Sequence, residues 1–179
     1  MKPIFLILLT SFLVSCSACN SDGKTSVVTV ADVGGSPDGV AVADSGNIYI
    51  TDIASGEIKQ IDEEGTITVI ETLPGVHPDG IVAVTSGSTD ILYVADTGSN
   101  ENTLNTDGKI VKIEVPSGGS ATTSTFLDTT DIDNPTGIAV DNSGNLYVAD
   151  QNTGDVYKVT VTGGVATSID SLTDGSGIT

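Results

Sequence analysis

A chain of 179 residues with 38% hydrophobic content is long and apolar enough for one packed domain, which excludes an intrinsically disordered protein. Six lysines and no arginine against 24 acidic residues give a formal net charge of -18. That balance excludes nucleic acid as a partner, because phosphate binding needs clustered cations. It implies instead a solvated, self-repelling surface, and acid-rich loops able to attract Ca²⁺. Aromatic residues are only 4%, with no tryptophan, so the core must be built from Val, Ile, Leu and Ala brought close together.

Residues 1–15, MKPIFLILLTSFLVS, place Lys2 before an apolar run from Pro3 to Val14, the plan of an export signal too short to span a bilayer comfortably. Leu13-Val14-Ser15-Cys16 resembles the lipobox of bacterial lipoproteins. The resemblance implies cleavage before Cys16 once its thiol carries a diacylglycerol; the alternative is an ordinary secretory signal with Cys16 and Cys19 near the cut. Lipidation would use the Cys16 thiol and leave Cys19 without a partner in the chain, so no intramolecular disulfide is expected. Residues 16–26 are polar and read as a tether. So acidic a chain would be held at an anionic membrane by lipid and not by charge. The expected location is the bacterial cell envelope, at the outer membrane or cell surface.

Residues 27–179 carry the folded part. Val27 to Val33, VVTVADV, is β-branched and predicts a lone strand. From Pro37 the same grammar then occurs in three copies, in which Gly39, Gly80 and Gly137 align, as do Tyr49, Tyr93 and Tyr147, Asp52, Asp96 and Asp150, and Gly56, Gly108 and Gly154. Gly to Tyr spans 10, 13 and 10 residues, and Tyr to Asp spans 3 in every copy. Insertions therefore fall between strands. The first copy predicts strands at Gly39 to Ala43, Asn47 to Thr51, Glu57 to Ile61 and Thr66 to Ile70. The second predicts Gly80 to Val84, Ile91 to Ala95, Lys109 to Val115 and Ala121 to Leu127; the third, Gly137 to Val140, Asn145 to Ala149, Asp155 to Val161 and Val165 to Ile169. A further copy begins at Gly175. Short strands at this period describe an all-β stack of small antiparallel sheets.

The copies resemble NHL repeats, whose units read roughly Pro-x-Gly-Ile-Ala-Val-Asp and Gly-Asn-Ile-Tyr-Val-Ala-Asp. The resemblance covers Pro37 to the end and implies a β-propeller of four-stranded blades, about three of them with the start of a fourth. It departs from the family where an Asn-Arg usually follows the Asp-x-Gly turn, so the link between blades must come from another residue. Propellers close with 4 to 8 blades. The Val27 to Val33 strand would be the outer strand of a closing blade. The shortfall fits either a piece of a longer propeller or an arc that forms a homodimer, two copies completing one ring.

Asp38 and Asp79, each between Pro and Gly at the start of an inner strand, are the leading metal candidates, with Thr136 and Ser176 at the same position in the later copies. They resemble a metal-binding position of the regucalcin and gluconolactonase family, which implies a divalent metal, Ca²⁺ above all, and lactone hydrolysis. That family also draws a Glu from an early Glu-x-Pro segment, which this chain lacks. Pro-Asp-Gly also serves as turn chemistry alone. His77, the single histidine, is the one candidate general base. The insert from Asp96 to Gly108 offers Asp96, Asn100 and Asp107 as loop ligands for Ca²⁺ or contacts for a partner, without EF-hand spacing. Asp52, Asp96 and Asp150 recur once per copy and read as turn acceptors of backbone N–H groups. No G-x-S-x-G elbow supports Ser-His-Asp hydrolysis, and a multi-histidine zinc site of the peptidylglycine-cleaving lyase type is excluded. The expected function is a non-catalytic binding or scaffolding module that takes a protein or small molecule at the channel mouth. The competing expectation is the metal-dependent lactonase.

Overall fold

The computed structural model describes residues 28–74, 77–98, 107–128, 132–160 and, for the backbone, 166–171. The expected export signal, Cys16, the expected tether, Asn100 and the expected further copy from Gly175 lie outside the described residues. The chain divides into two compact units, Met1–Val30 and Ala31–Thr179. In the first, residues 28–30 have no regular secondary structure.

The second unit contains, among the described residues, three four-stranded antiparallel sheets, each a meander of consecutive strands. The first comprises β1 (Pro37–Val42), β2 (Ile48–Asp52), β3 (Glu57–Ile61) and β4 (Ile67–Thr72). The second comprises β5 (Pro78–Ser86), β6 (Thr89–Asp96), β7 (Lys109–Pro116) and β8 (Thr122–Asp128). The third comprises β9 (Pro135–Val140), β10 (Leu146–Asp150), β11 (Asp155–Val159) and β12 (Ala166–Ser171). These are propeller blades, and β1, β5 and β9 are their inner strands, adjoining one another across the blade junctions.

One expectation fails. Residues 28–33, the described part of the predicted Val27 to Val33 strand, form no strand. The segment's polar groups are engaged otherwise: Asp32 Oδ1 accepts the Gly34 N–H at 3.2 Å, and the Val33 carbonyl accepts a hydrogen bond from Lys59 Nζ at 3.1 Å. A local bend and a side-chain partner replace a ladder. β-Branched composition alone does not make a strand without an edge to pair with.

The two faces of the second sheet's middle strands are buried by different neighbours, as a strand between packed blades requires. Ala41, Tyr49 and Ile58 of the first sheet share a core with Ile81, Leu92, Val94, Val111 and Ile113 of the second. The opposite face of the second sheet, with Tyr93, Ala95 and Ile110, packs on Leu146, Val148, Tyr157 and Val159 of the third. At the edge of that second core, Tyr93 meets Phe126 edge to face, with ring centroids 4.9 Å apart.

The inner strands come closest at the aligned glycines. A Cβ on Gly39 would collide with the Asp79 carbonyl oxygen, and one on Gly80 with the Thr136 carbonyl oxygen. Thr51 fastens the first of these contacts. Its hydroxyl accepts the Gly39 N–H at 2.7 Å and donates to the Asp79 carbonyl at 2.6 Å. Forcing a methyl group into such a junction costs about 1–3 kcal/mol. Gly39→Ala and Gly80→Ala are each expected to lower the unfolding free energy by about that amount, read from the denaturation midpoint at unchanged slope; an unshifted midpoint would contradict the close approach.

Candidate functional site

The blades present two ends. At one end lie the starts of β1, β5 and β9 with the Asp52, Asp96 and Asp150 turns; at the other lie the β1–β2 and β3–β4 hairpin loops and their counterparts.

The first end is organised by the recurring aspartates. Asp52 Oδ1 accepts the N–H groups of Ser36, Ala54 and Ser55 at 3.2–3.3 Å. Asp150 shares the same role between its two oxygens, since Oδ1 accepts the Asn152 and Thr153 N–H groups while Oδ2 accepts those of Asp133 and Asn134 at 2.7 and 2.9 Å. Asp96, fully buried, accepts the Gly98 N–H at 2.9 Å through Oδ1 and has Lys109 Nζ 3.2 Å from Oδ2. The residue after each aspartate (Ile53, Thr97, Gln151) donates its N–H to the carbonyl just before the proline (Ser36, His77, Asn134). The aspartate thus ties the end of the second strand to the start of the first. Gly56 and Gly154, at φ 73° and 74°, make the left-handed step that closes the turn.

Asp52 has a further partner. Lys59 Nζ lies 2.7 Å from Oδ2, with the lysine 7% and the aspartate 2% exposed. The Lys59 hydrogen bond outweighs burial and, with the Ser36 and Ser55 N–H groups, holds the Asp52 carboxyl at about 2. The same bond raises the lysine above its ordinary value.

Among the residues expected to carry chemistry, Asp38 is exposed, Asp79 is half-buried and its carbonyl is occupied by Thr51. His77 sits beside them with its Nδ1 2.9 Å from the Gly98 carbonyl, an arrangement in which Nδ1–H donates. Asp107, two residues before β7, is exposed, whereas Asp96 is buried. Among the described residues no three His, Cys, Asp or Glu side chains converge closely enough to share a metal ion.

The opposite end holds the feature that sequence reasoning missed. Asp90, 3% exposed in β6, receives hydrogen bonds at Oδ2 from Ser45 Oγ (2.6 Å), Asn47 Nδ2 (3.0 Å) and Tyr49 Oη (2.8 Å) of the neighbouring blade. Its Oδ1 accepts Thr85 Oγ1 at 2.8 Å. Burial alone would raise this carboxyl, but the four hydrogen bonds outweigh it and hold it below its ordinary value. Burial and the adjacent carboxylate push the Tyr49 phenol well up. The third copy meets the same need internally: Asp141 accepts Asn145 Nδ2 at 2.8 Å and Tyr147 Oη at 3.2 Å. The first copy has Ala43 in place of Asp141, which leaves Tyr49 without an acid in its own blade. That mismatch was the available signal.

Asp90 forms the inner wall of a cleft of about 980 Å³ between the first two blades. Asp44, Asp62, Glu63, Glu64 and Glu71 also line it, and no lysine does. Glu71 receives a hydrogen bond from Thr123 across the same junction. This cleft lies at the end of the blades away from Asp38, Asp79 and His77.

Asp90→Ala leaves the Tyr49 hydroxyl and its neighbours without an acceptor and is expected to cost about 2–3 kcal/mol in denaturant unfolding, whereas Asp141→Ala, at a half-exposed turn, costs less; equal effects would deny the junction its weight. Asp52 has a depressed pKa, so its stabilisation is complete above the unfolded value of 3.8 and is lost as pH falls through about 2. Lys59→Met is expected to cost about 3 kcal/mol at neutral pH and to flatten that acid dependence. An unchanged acid profile would contradict the pairing.

Residues 133–156 match the NHL repeat family. No curated protein matches the chain. Among solved structures, a catalytically inactive virginiamycin B lyase from Staphylococcus aureus, with quinupristin, is 20% identical at TM-score 0.59, covering 88% of this chain and 49% of its own. A gluconolactonase from Xanthomonas campestris is 19% identical at TM-score 0.61, covering 83% and 52%. The nidogen/laminin complex supplies a chain 23% identical at TM-score 0.59, covering 76% and 49%. This chain spans about half the length of the solved structures it matches. At these identities the likeness shows the fold, which is that of a β-propeller whose blades include an NHL repeat at residues 133–156.

Proposed function

We propose that this chain belongs to an exported, lipid-anchored propeller of the bacterial envelope that binds a partner without transforming it, the contact being made in the cleft between the first two blades. The observation that carries this reading is the state of Asp90. The one deeply buried acid among the cleft's lining residues accepts four hydrogen bonds and serves the blade junction, so the cleft has a fixed inner wall beneath a rim of carboxylates. Its lining of acids without a lysine fits a cationic group on a protein or small molecule. The lipid on Cys16 would supply the anchor. Its mark is incorporation of labelled palmitate that disappears in Cys16→Ser.

A lysine-rich peptide titrated by fluorescence anisotropy tests the cleft. Binding is expected to weaken with salt and to fall at least tenfold when Glu63, Glu64 and Glu71 are all changed to Gln, while Asp38→Ala leaves it unchanged. Affinity indifferent to the triple change would remove the cleft from the account.

Asp38 and Asp79 at equivalent starts of adjacent inner strands, together with the gluconolactonase likeness, favour one second reading, the metal-dependent lactonase. A hard cation takes six to eight oxygens. The described residues bring no three acidic groups together, so they do not fit a complete metal site and no step is derived through one. Calorimetric Ca²⁺ binding lost in Asp38→Ala, Asp79→Ala, with lactone hydrolysis lost alongside, would establish this second reading in place of the first.

A further inference from the structure

The acid-lined cleft between the first two blades also has an apolar strip. Ile70 of β4, Val115 of β7 and Ala121 just before β8 pack against the core of the first junction and line the cleft as well. Val69 and Pro116 extend the strip. Charge is distributed unevenly around it. Apart from Asp90, whose oxygens take four hydrogen bonds, every acid among the described lining residues stands on the first blade. The turns of the second blade contribute small uncharged residues, Gly87 with Ser88 and residues 117–120.

The first-blade acids fall into separate places along β4. Asp62, Glu63 and Glu64 lie in the turn that precedes the strand, and Glu71 stands next to its last residue. A strand rises about 3.3 Å per residue, which puts roughly 15 Å between that turn and Glu71. Val69 and Ile70 lie between them. Glu63 is drawn back over the β1–β2 loop, where a Cβ on Gly46 would come within 2.6 Å of its Oε1. Glu71 accepts the Thr72 N–H at 2.9 Å and the Thr123 hydroxyl, which fixes its carboxylate, and a carboxylate has acceptor capacity beyond two such bonds.

This arrangement discriminates among cations. A divalent metal needs its oxygens brought to one point, and among the described residues no three acidic side chains converge in that way. Carboxylates set apart along an apolar strip suit positive charges set apart along an apolar chain, methylenes on the strip and ammonium groups at the acids. The cleft's volume of about 980 Å³ is that of a small-molecule site. We propose that its ligand is a linear aliphatic polyamine lying along β4, with one ammonium group at the 62–64 turn and another at Glu71. This rests on the reading of the cleft as a site for a cationic group and names the class of small molecule that it takes.

Calorimetric titration of the full chain with spermine tests the proposal, together with displacement of the lysine-rich peptide. Spermine is expected to bind at a single site and to displace the peptide, whereas Ca²⁺ at equal ionic strength does not. Glu71→Gln, and Glu63→Gln with Glu64→Gln, are each expected to weaken spermine at least tenfold with the thermal unfolding midpoint little changed. The terminal diamines of decane and propane carry equal charge and differ in span; the longer is expected to bind more tightly and to lose that advantage in Glu71→Gln. Peptide binding that spermine does not displace would overturn this inference alone and leave the cleft a protein contact. Displacement by Ca²⁺ at equal ionic strength, or equal affinity for the two diamines, would also overturn it, reducing the site to unspecific attraction by acids. Failure of both peptide and spermine to bind would overturn the cleft reading itself.

Discussion

The close approach of successive inner strands is the constraint on which the rest depends. Gly39 lies against the Asp79 carbonyl and Gly80 against the Thr136 carbonyl, so adjoining sheets sit near enough for small aliphatic cores to fill the space between them. A chain with 4% aromatic residues could not fill wider gaps. The Pro-x-Gly start of the first two copies is therefore a spacing device before it is anything else. Thr51 adds a directional bond at one of these contacts by bridging Gly39 and Asp79.

Once the spacing is set, polar groups at the junctions must be satisfied from whichever blade can reach them. The tyrosine of the first copy finds Asp90 in the next blade, while that of the third finds Asp141 in its own. The same requirement has two solutions, and the first of them links blades. Lys59 solves a different problem. Its ammonium group neutralises the buried Asp52 and holds the Val33 carbonyl, fixing the segment that enters the first blade. Asp90, Thr51 and the Thr123–Glu71 hydrogen bond thereby link the first two blades without an arginine.

Most of the fold was legible in the sequence because a repeat supplies its own controls. Alignment of the glycines, tyrosines and aspartates places all the expected strands of the three copies within a few residues of their observed bounds, and insertions such as that after Asp96 fall between strands. The lone strand at Val27 to Val33 had no such control, and composition misled there. Asp90 was hidden for a related reason. It stands outside the aligned positions, and its role depends on an alanine in another copy. The recurring aspartates were readable as turn acceptors, but their differing partners, Lys59 for Asp52 and Lys109 for Asp96, depend on the register of the third strand. The cleft was unreadable because its walls come from separate copies and meet only through packing.

A rigid junction between the first two blades is what gives the cleft a fixed shape, so its cooperativity is the point to measure. Native-state amide exchange with rising denaturant, resolved to β2 and β3 on one side and β6 and β7 on the other, does so directly. These four strands are expected to open together with a single free energy. Exchange in which β2 and β3 open well before β6 and β7 would show the first blade to be held independently, and would contradict a rigid junction.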